Sequence, residues 1–281
     1  MKGSNNPPTV NISVSPCEEA DRLGYDERQI SRIVIRVAQF FLFKGMRVLF
    51  GHDWRDNGVM RAVLQSAELA EAASLEPGRG ARMLNLVAKG DAPLSGIGLD
   101  AAKDADGVLE IRSMDDETIA PTRQGDRCAE LWALRKRLTQ MLDPGCRICL
   151  GGRTSGYAGH YAGVAEEAYF ALSMGKPLYL IGGFGGATGA VCNAIMGAVS
   201  SHANGADPFE PRTARCTVIH SDAPLPLSGF RATFREFGLN KLSKDNGLSP
   251  DDNQRLFEMT DIEAALGLIQ AGMGRRRSAS D

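Results

Sequence analysis

No stretch of this chain is apolar for long enough to cross a membrane. Val34 to Phe43 carries a charge and Pro177 to Ile181 is short, whereas a helical span needs roughly 20 apolar residues. The opening MKGSNNPPTV has no apolar segment from which an export signal could be built, so a cytoplasmic location is expected. A surplus of charge is missing too: 32 Lys and Arg stand against 34 Asp and Glu. With no overall field to draw polyanions, neither nucleic acid nor a membrane surface is expected as a partner. The six cysteines form no dense framework and read as reduced thiols. Cys146 and Cys149 make a C-x-x-C, but on a strand positions three apart face opposite sides and cannot share a metal ion or a disulfide. His52, His160, His202 and His220 lack metal-ligand spacing, so no metal site is expected. The G-x-x-x-x-G-K-[ST] phosphate loop is absent, and Gly182-Gly-Phe-Gly-Gly186 does not have the spacing of a dinucleotide fingerprint. No bound cofactor is expected.

What the chain does have is alternation of strand-like and helix-like segments. Val10 to Val14, Met46 to Phe50, Met83 to Ala88, Gly107 to Ile111, Cys146 to Leu150 and Pro177 to Ile181 read as strands, with a further edge strand at Thr217 to His220. Between them, Ile30, Ile33, Val34, Val37, Phe40 and Phe41 recur at the spacing of one helix face. Helices are also expected over 58–73, from Arg127 to Leu142, from Gly163, and over 188–199. Asp100 to Asp106 fits a short helix, Glu18 to Gly24 reads as irregular, and terminal helices are expected over 230–240 and 249–270. This pattern predicts an α/β fold: a Rossmann-like, doubly wound, mainly parallel sheet with helices on both faces. Residues 10–272 are expected to form one domain, flanked by unstructured residues 1–9 and an unstructured basic tail over 273–281.

The organising stretch is Leu150-Gly-Gly-Arg-Thr154 through Pro177, followed by Leu178 to Gly186. A strand that ends in Gly-Gly and leads into a helix offers amide N–H groups and a helix dipole to an anion. In a parallel sheet such loops form the ligand crevice. The ligand-binding candidates are Ser13, Ser15, Gly51, Asp53, Arg55, Gly151, Gly152, Arg153, Thr154, Gly163, Glu166, Glu167, Gly182, Gly183 and Gly185. Glu166 and Glu167 sit in the first turn of a helix, where acids stabilise the dipole. Either could also turn into the pocket to hold a ribose hydroxyl or act as a base. Arg135 lies on the helix before the same strand, within reach of the strand end, and its fork suits a phosphate.

Leu134-Arg-Lys136, the strand Cys146 to Leu150, Gly151-Gly152 and Gly163-Val-Ala-Glu-Glu167 follow one another in the order of the Lonely Guy motif, Arg-Lys, strand, P-G-G-x-G-T-x-x-E. The chain resembles the SLOG superfamily, which unites Lonely Guy phosphoribohydrolases, DprA-like proteins and nucleotide-ligand sensors. Ser13-Val-Ser-Pro16, Phe50 to Arg55, Leu150 to Thr154 and Leu180 to Gly186 are most similar to prokaryotic SLOG domains found beside TIR and nucleoside-phosphorylase-like effectors. The departures are Leu150 for proline, Val164 for threonine, His52 for a glycine, and an insertion from Arg153 to Ala162. The resemblance implies a nucleotide-derived ligand, related to NAD or a cyclic nucleotide, in conflict or anti-phage signalling. It also implies a homo-oligomer and a TIR-type effector. The rival implication is hydrolysis of an N-glycosidic bond by Arg135 and Glu167, with Gly151, Gly152 and Gly163 around a 5′-phosphate.

Overall fold

A computed structural model describes residues 7–51, 59–75, 80–88, 105, 107–114, 127–198, 207–210 and 229–278. Among them six strands form one parallel sheet: β1 (Thr9–Ser15), β2 (Arg47–Phe50), β3 (Met83–Val87), β4 (Leu109–Ser113), β5 (Gly145–Gly151) and β6 (Leu178–Ile181). The sheet order is β4-β3-β2-β1-β5-β6. Strand order therefore reverses between β1 and β5, which opens a crevice at their carboxyl ends.

The helices are α1 (Glu18–Arg22), α2 (Glu27–Leu42), α3 (Val59–Ala72), α4 (Arg127–Gln140), α5 (Gly163–Ser173), α6 (Gly186–Ile195), α7 (Phe230–Asn246), α8 (Pro250–Glu258) and α9 (Ile262–Ser278). The α2 helix begins where the Asp26 side chain accepts from the Gln29 N–H at 2.8 Å, and it buries the stripe Ile30, Val34, Val37, Phe41. With α3 and α9 it covers the face carrying Val10, Val48, Cys146, Ile148 and Tyr179. On the opposite face α5, α6 and α7 pack on Cys149, Leu178 and Leu180, while α4 packs on Leu49, Leu84 and Leu86. The expected doubly wound fold is the observed one.

Cys146 and Cys149 do fall on opposite faces of β5. Cys17, Cys146, Cys149 and Cys192 are free thiols, but Cys128 is disulfide-bonded, so the reading of every cysteine as a free thiol needs correction there. Three further expectations change. Glu18 to Arg22 is a short helix rather than irregular, its first turn rich in acids that suit the dipole. The expected helix over 249–270 is two, α8 and α9, separated by Met259-Thr260-Asp261; the Asp261 carboxylate accepts from the Glu263 and Ala264 N–H groups and starts the second. The basic tail from Met273 is helical as far as Ser278, because Met273 packs against the main core and Arg275 reaches Asp252 at 3.2 Å. The expected strand at Thr217 to His220 and short helix at Asp100 to Asp106 fall outside the described residues, apart from Ala105.

Candidate functional site

The crevice at the β1/β5 reversal is a cleft floored by the end of β1 from Asn11 to Pro16 and by Gly51 after β2. Arg28 and Arg32 of α2 line one side. Arg127 and Arg135 of α4, Arg153 and Gly156 of the loop after β5, and Gly163, Val164 and Glu167 of α5 line the other. The α5 N-cap is Ala162, which caps nothing with its side chain, so the positive end of the helix opens on the cleft through Gly163.

The strand end is shaped by glycine for a steric reason. Gly152 has φ +102, and a Cβ there would stand 2.9 Å from Val164 Cγ2. Its N–H donates to the Ser15 carbonyl at 2.8 Å, and the Arg153 N–H donates to Ser15 Oγ at 3.1 Å. The amides expected to cradle an anion are thus taken up in joining β5 to β1. The cleft instead offers the guanidinium groups on its walls and the start of α5.

Two acid–base pairs lie side by side below the cleft. Glu166 is fully buried; it accepts from Arg135 Nη1 through Oε2 and from the Tyr161 N–H at 2.8 Å through Oε1. Burial pushes its carboxyl above the ordinary value, and Arg135 and the Tyr161 N–H pull it back. Glu167, by contrast, faces the cleft: its Oε2 accepts from Ser13 Oγ and stands 3.1 Å from Arg147 Nη1, and its Oε1 is 3.9 Å from Arg135 Nε. The choice between the two glutamates is settled by helix rotation, since adjacent residues differ by about 100°. Arg147 is fully buried, and none of its nitrogens has a directed hydrogen bond, so its contact with Glu167 is Coulombic. Burial lowers the affinity of Arg147 for its proton, and Glu167 opposes that.

The structure therefore brings Ser13, Ser15, Gly51, Arg135, Arg153, Gly163 and Glu167 to one cleft, with Gly151 and Gly152 directly behind it. Thr154 is half-buried beside Arg153 but does not line the cleft. Asp53 and Arg55 lie outside the described residues. Gly182, Gly183 and Gly185, expected to touch ligand, do not line the cleft: Gly182 is buried and Gly183 and Gly185 are half-buried against protein. A Cβ on Gly183 would stand 2.6 Å from the Glu258 carbonyl, and one on Gly182 would stand 2.8 Å from Cys192 Sγ. The end of α8 closes over this loop, and its glycines permit that approach. Arg28, Arg127 and Arg147 were not among the expected site residues; only Arg147, a lone charge inside the apolar run Cys146 to Leu150, carried a signal.

The family model described as SLOG cluster2 matches residues 99–256. The chain belongs to this SLOG family. The SLOG match spans β4, α4, β5, α5, β6, α6, α7 and most of α8, and with them Arg135, Arg147, Glu166 and Glu167. Membership links the chain to binding or processing of a nucleotide-related ligand. The other half of the cleft, Ser13, Ser15, Arg28 and Gly51, precedes the SLOG match. No curated protein matches the chain. No described helix is long and apolar enough to cross a membrane.

Proposed function

We propose that this chain is a sensor that binds a nucleotide-derived small molecule, related to NAD or a cyclic nucleotide, in the cleft at the β1/β5 reversal. The observation that carries this reading is the lining of that cleft: Arg28 and Arg32 on one side face Arg127, Arg135, Arg153 and the start of α5 on the other. Guanidinium groups and a helix amino end suit a ligand with more than one phosphate. Glu167 faces the same space as an acceptor for a ribose hydroxyl. The insertion from Arg153 to Ala162 is tied down in its middle and near its end: Tyr157 Oη donates to the Glu210 carbonyl at 2.8 Å, and Tyr161 stacks on Phe230 with ring centroids 4.2 Å apart. A fixed wall of this kind suits retention of a ligand. On this reading the protein acts in the cytoplasm as a homo-oligomer, and the bound state is passed to a TIR-type effector in a conflict or anti-phage system.

A second reading rests on one distance. Arg135 Nε and Glu167 Oε1 are 3.9 Å apart on the cleft wall, the two groups a Lonely Guy-like phosphoribohydrolase would use. The carboxylate would then steady positive charge on the ribose as the base leaves. One experiment separates the two. AMP, other monophosphates, NAD, ADP-ribose and its cyclic forms are incubated with the protein, followed by thermal melting and then by mass spectrometry. The sensor reading expects a raised melting midpoint with the ligand intact. Free base that disappears in Glu167→Gln would establish the hydrolase instead.

A further inference from the structure

Arg147 sits in the middle of β5, opposite Asn11 of β1, with apolar Cys146, Ile148, Cys149 and Leu150 as its strand neighbours. It is fully buried, and its nitrogens lack hydrogen bonds. For packing alone an apolar side chain would serve better, because taking a guanidinium out of water is costly and is repaid only by good partners. Its partner is Glu167, whose Oε2 it approaches at 3.1 Å. The same oxygen takes the Ser13 hydroxyl. Both anchors act on one side of the carboxylate; Oε1 makes no hydrogen bond among the described residues and stands 3.9 Å from Arg135 Nε on the cleft side.

We infer that Arg147 is the positioning residue for Glu167, holding its side chain with one oxygen presented to the cleft, so that this wall selects a ligand hydrogen-bond donor such as ribose hydroxyls. A carboxylate oxygen accepts, and a phosphate brings only acceptors; phosphates therefore go to the arginines and hydroxyls to Glu167. The inference rests on the nucleotide reading above and adds which residue sets the orientation within the cleft.

Two measurements test it. Without ligand, Glu167→Gln strips the counter-charge from Arg147 and lowers the melting midpoint by about 5 °C or more; adding Arg147→Met to that variant restores most of the loss. With ligand, the probes are AMP and 2′,3′-dideoxy-AMP. The native protein binds AMP about 10- to 100-fold more tightly than the dideoxy form. In Arg147→Met the ratio falls toward one, and Arg147→Lys recovers part of it. A native ratio in Arg147→Met would overturn the positioning role, as would no rescue of Glu167→Gln by Arg147→Met. If Arg147→Met does not fold, Arg147→Lys carries the test: a ratio unchanged from native counts against the role, and a reduced one supports it. If the native protein binds neither probe, the nucleotide reading fails and the selection fails with it, whereas binding of AMP without discrimination sinks the selection alone.

Discussion

A Cβ placed on Gly163 would stand 2.7 Å from Nη2 of Arg135, so the guanidinium lies directly on the first residue of α5. Gly163→Ala forces the far end of a flexible side chain aside, the three nearest atoms all belonging to the Arg135 guanidinium. Alanine is also the better helix former. The variant should melt within about 2 °C of the native protein while binding AMP about tenfold more weakly, as the displaced guanidinium loses its geometry. Parallel melting and titration check this; an affinity loss matched by an equal loss of stability would point to misfolding.

Glu166 gives a pH signature. Burial raises its carboxyl above the ordinary 4.5, so the folded state holds this proton more tightly than the unfolded state does. The stability it contributes is full below the ordinary carboxylate value and is lost as pH rises through the raised one. Glu166→Gln has no such loss. The melting midpoint of the variant minus that of the native protein should therefore climb from about pH 4 toward neutrality, whatever its starting sign. A flat or falling difference would contradict the assignment.

The core thiols are expected to be inert. Burial pushes Cys146 and Cys149 up to about 12 and raises Cys192 well above the ordinary thiol value. Iodoacetamide at pH 8 should leave all three unlabelled in the folded protein and label them after unfolding, since only a thiolate reacts. Peptide mass spectrometry reads the result. Half-buried Cys17 should be labelled ahead of them.

The terminal helices hang on Asn246. This fully buried side chain donates to the Leu178 carbonyl at 2.9 Å and to Asn253 Oδ1 at 2.8 Å, and accepts the Leu248 N–H at 2.9 Å. Asn246→Ala leaves those groups without partners inside the protein and should cost about 2–3 kcal/mol, measured by urea unfolding. AMP affinity of the folded fraction should be unchanged, because Asn246 binds at the amino end of β6, away from the cleft.

Much of this architecture is legible in the sequence. The apolar stripe of α2 and the short buried runs of β3, β5 and β6 have the periods of a helix and of strands, and Gly151-Gly152 before Gly163 marks the crevice. Glu167 could not be separated from Glu166, because the rotation between neighbours on α5 is fixed only by packing against β5. Gly182-Gly-Phe-Gly-Gly186 falls outside this cleft for a related reason. Glycine permits close approach by any backbone, and here the partner is the end of α8. Arg28 and Arg127 join the cleft through topology that brings α2 and α4 to the same strand ends, which no local pattern encodes.

The central claim is that a nucleotide-derived ligand binds in the arginine-lined cleft at the β1/β5 reversal. The most direct test is an equilibrium titration with AMP of the native protein, of Arg135→Ala, and of Arg36→Ala as a control whose guanidinium pairs with Glu263 on the surface. Saturable binding that falls at least about tenfold in Arg135→Ala and is unchanged in Arg36→Ala is the expected result. No saturable binding by the native protein, or equal affinity in all three, would contradict it.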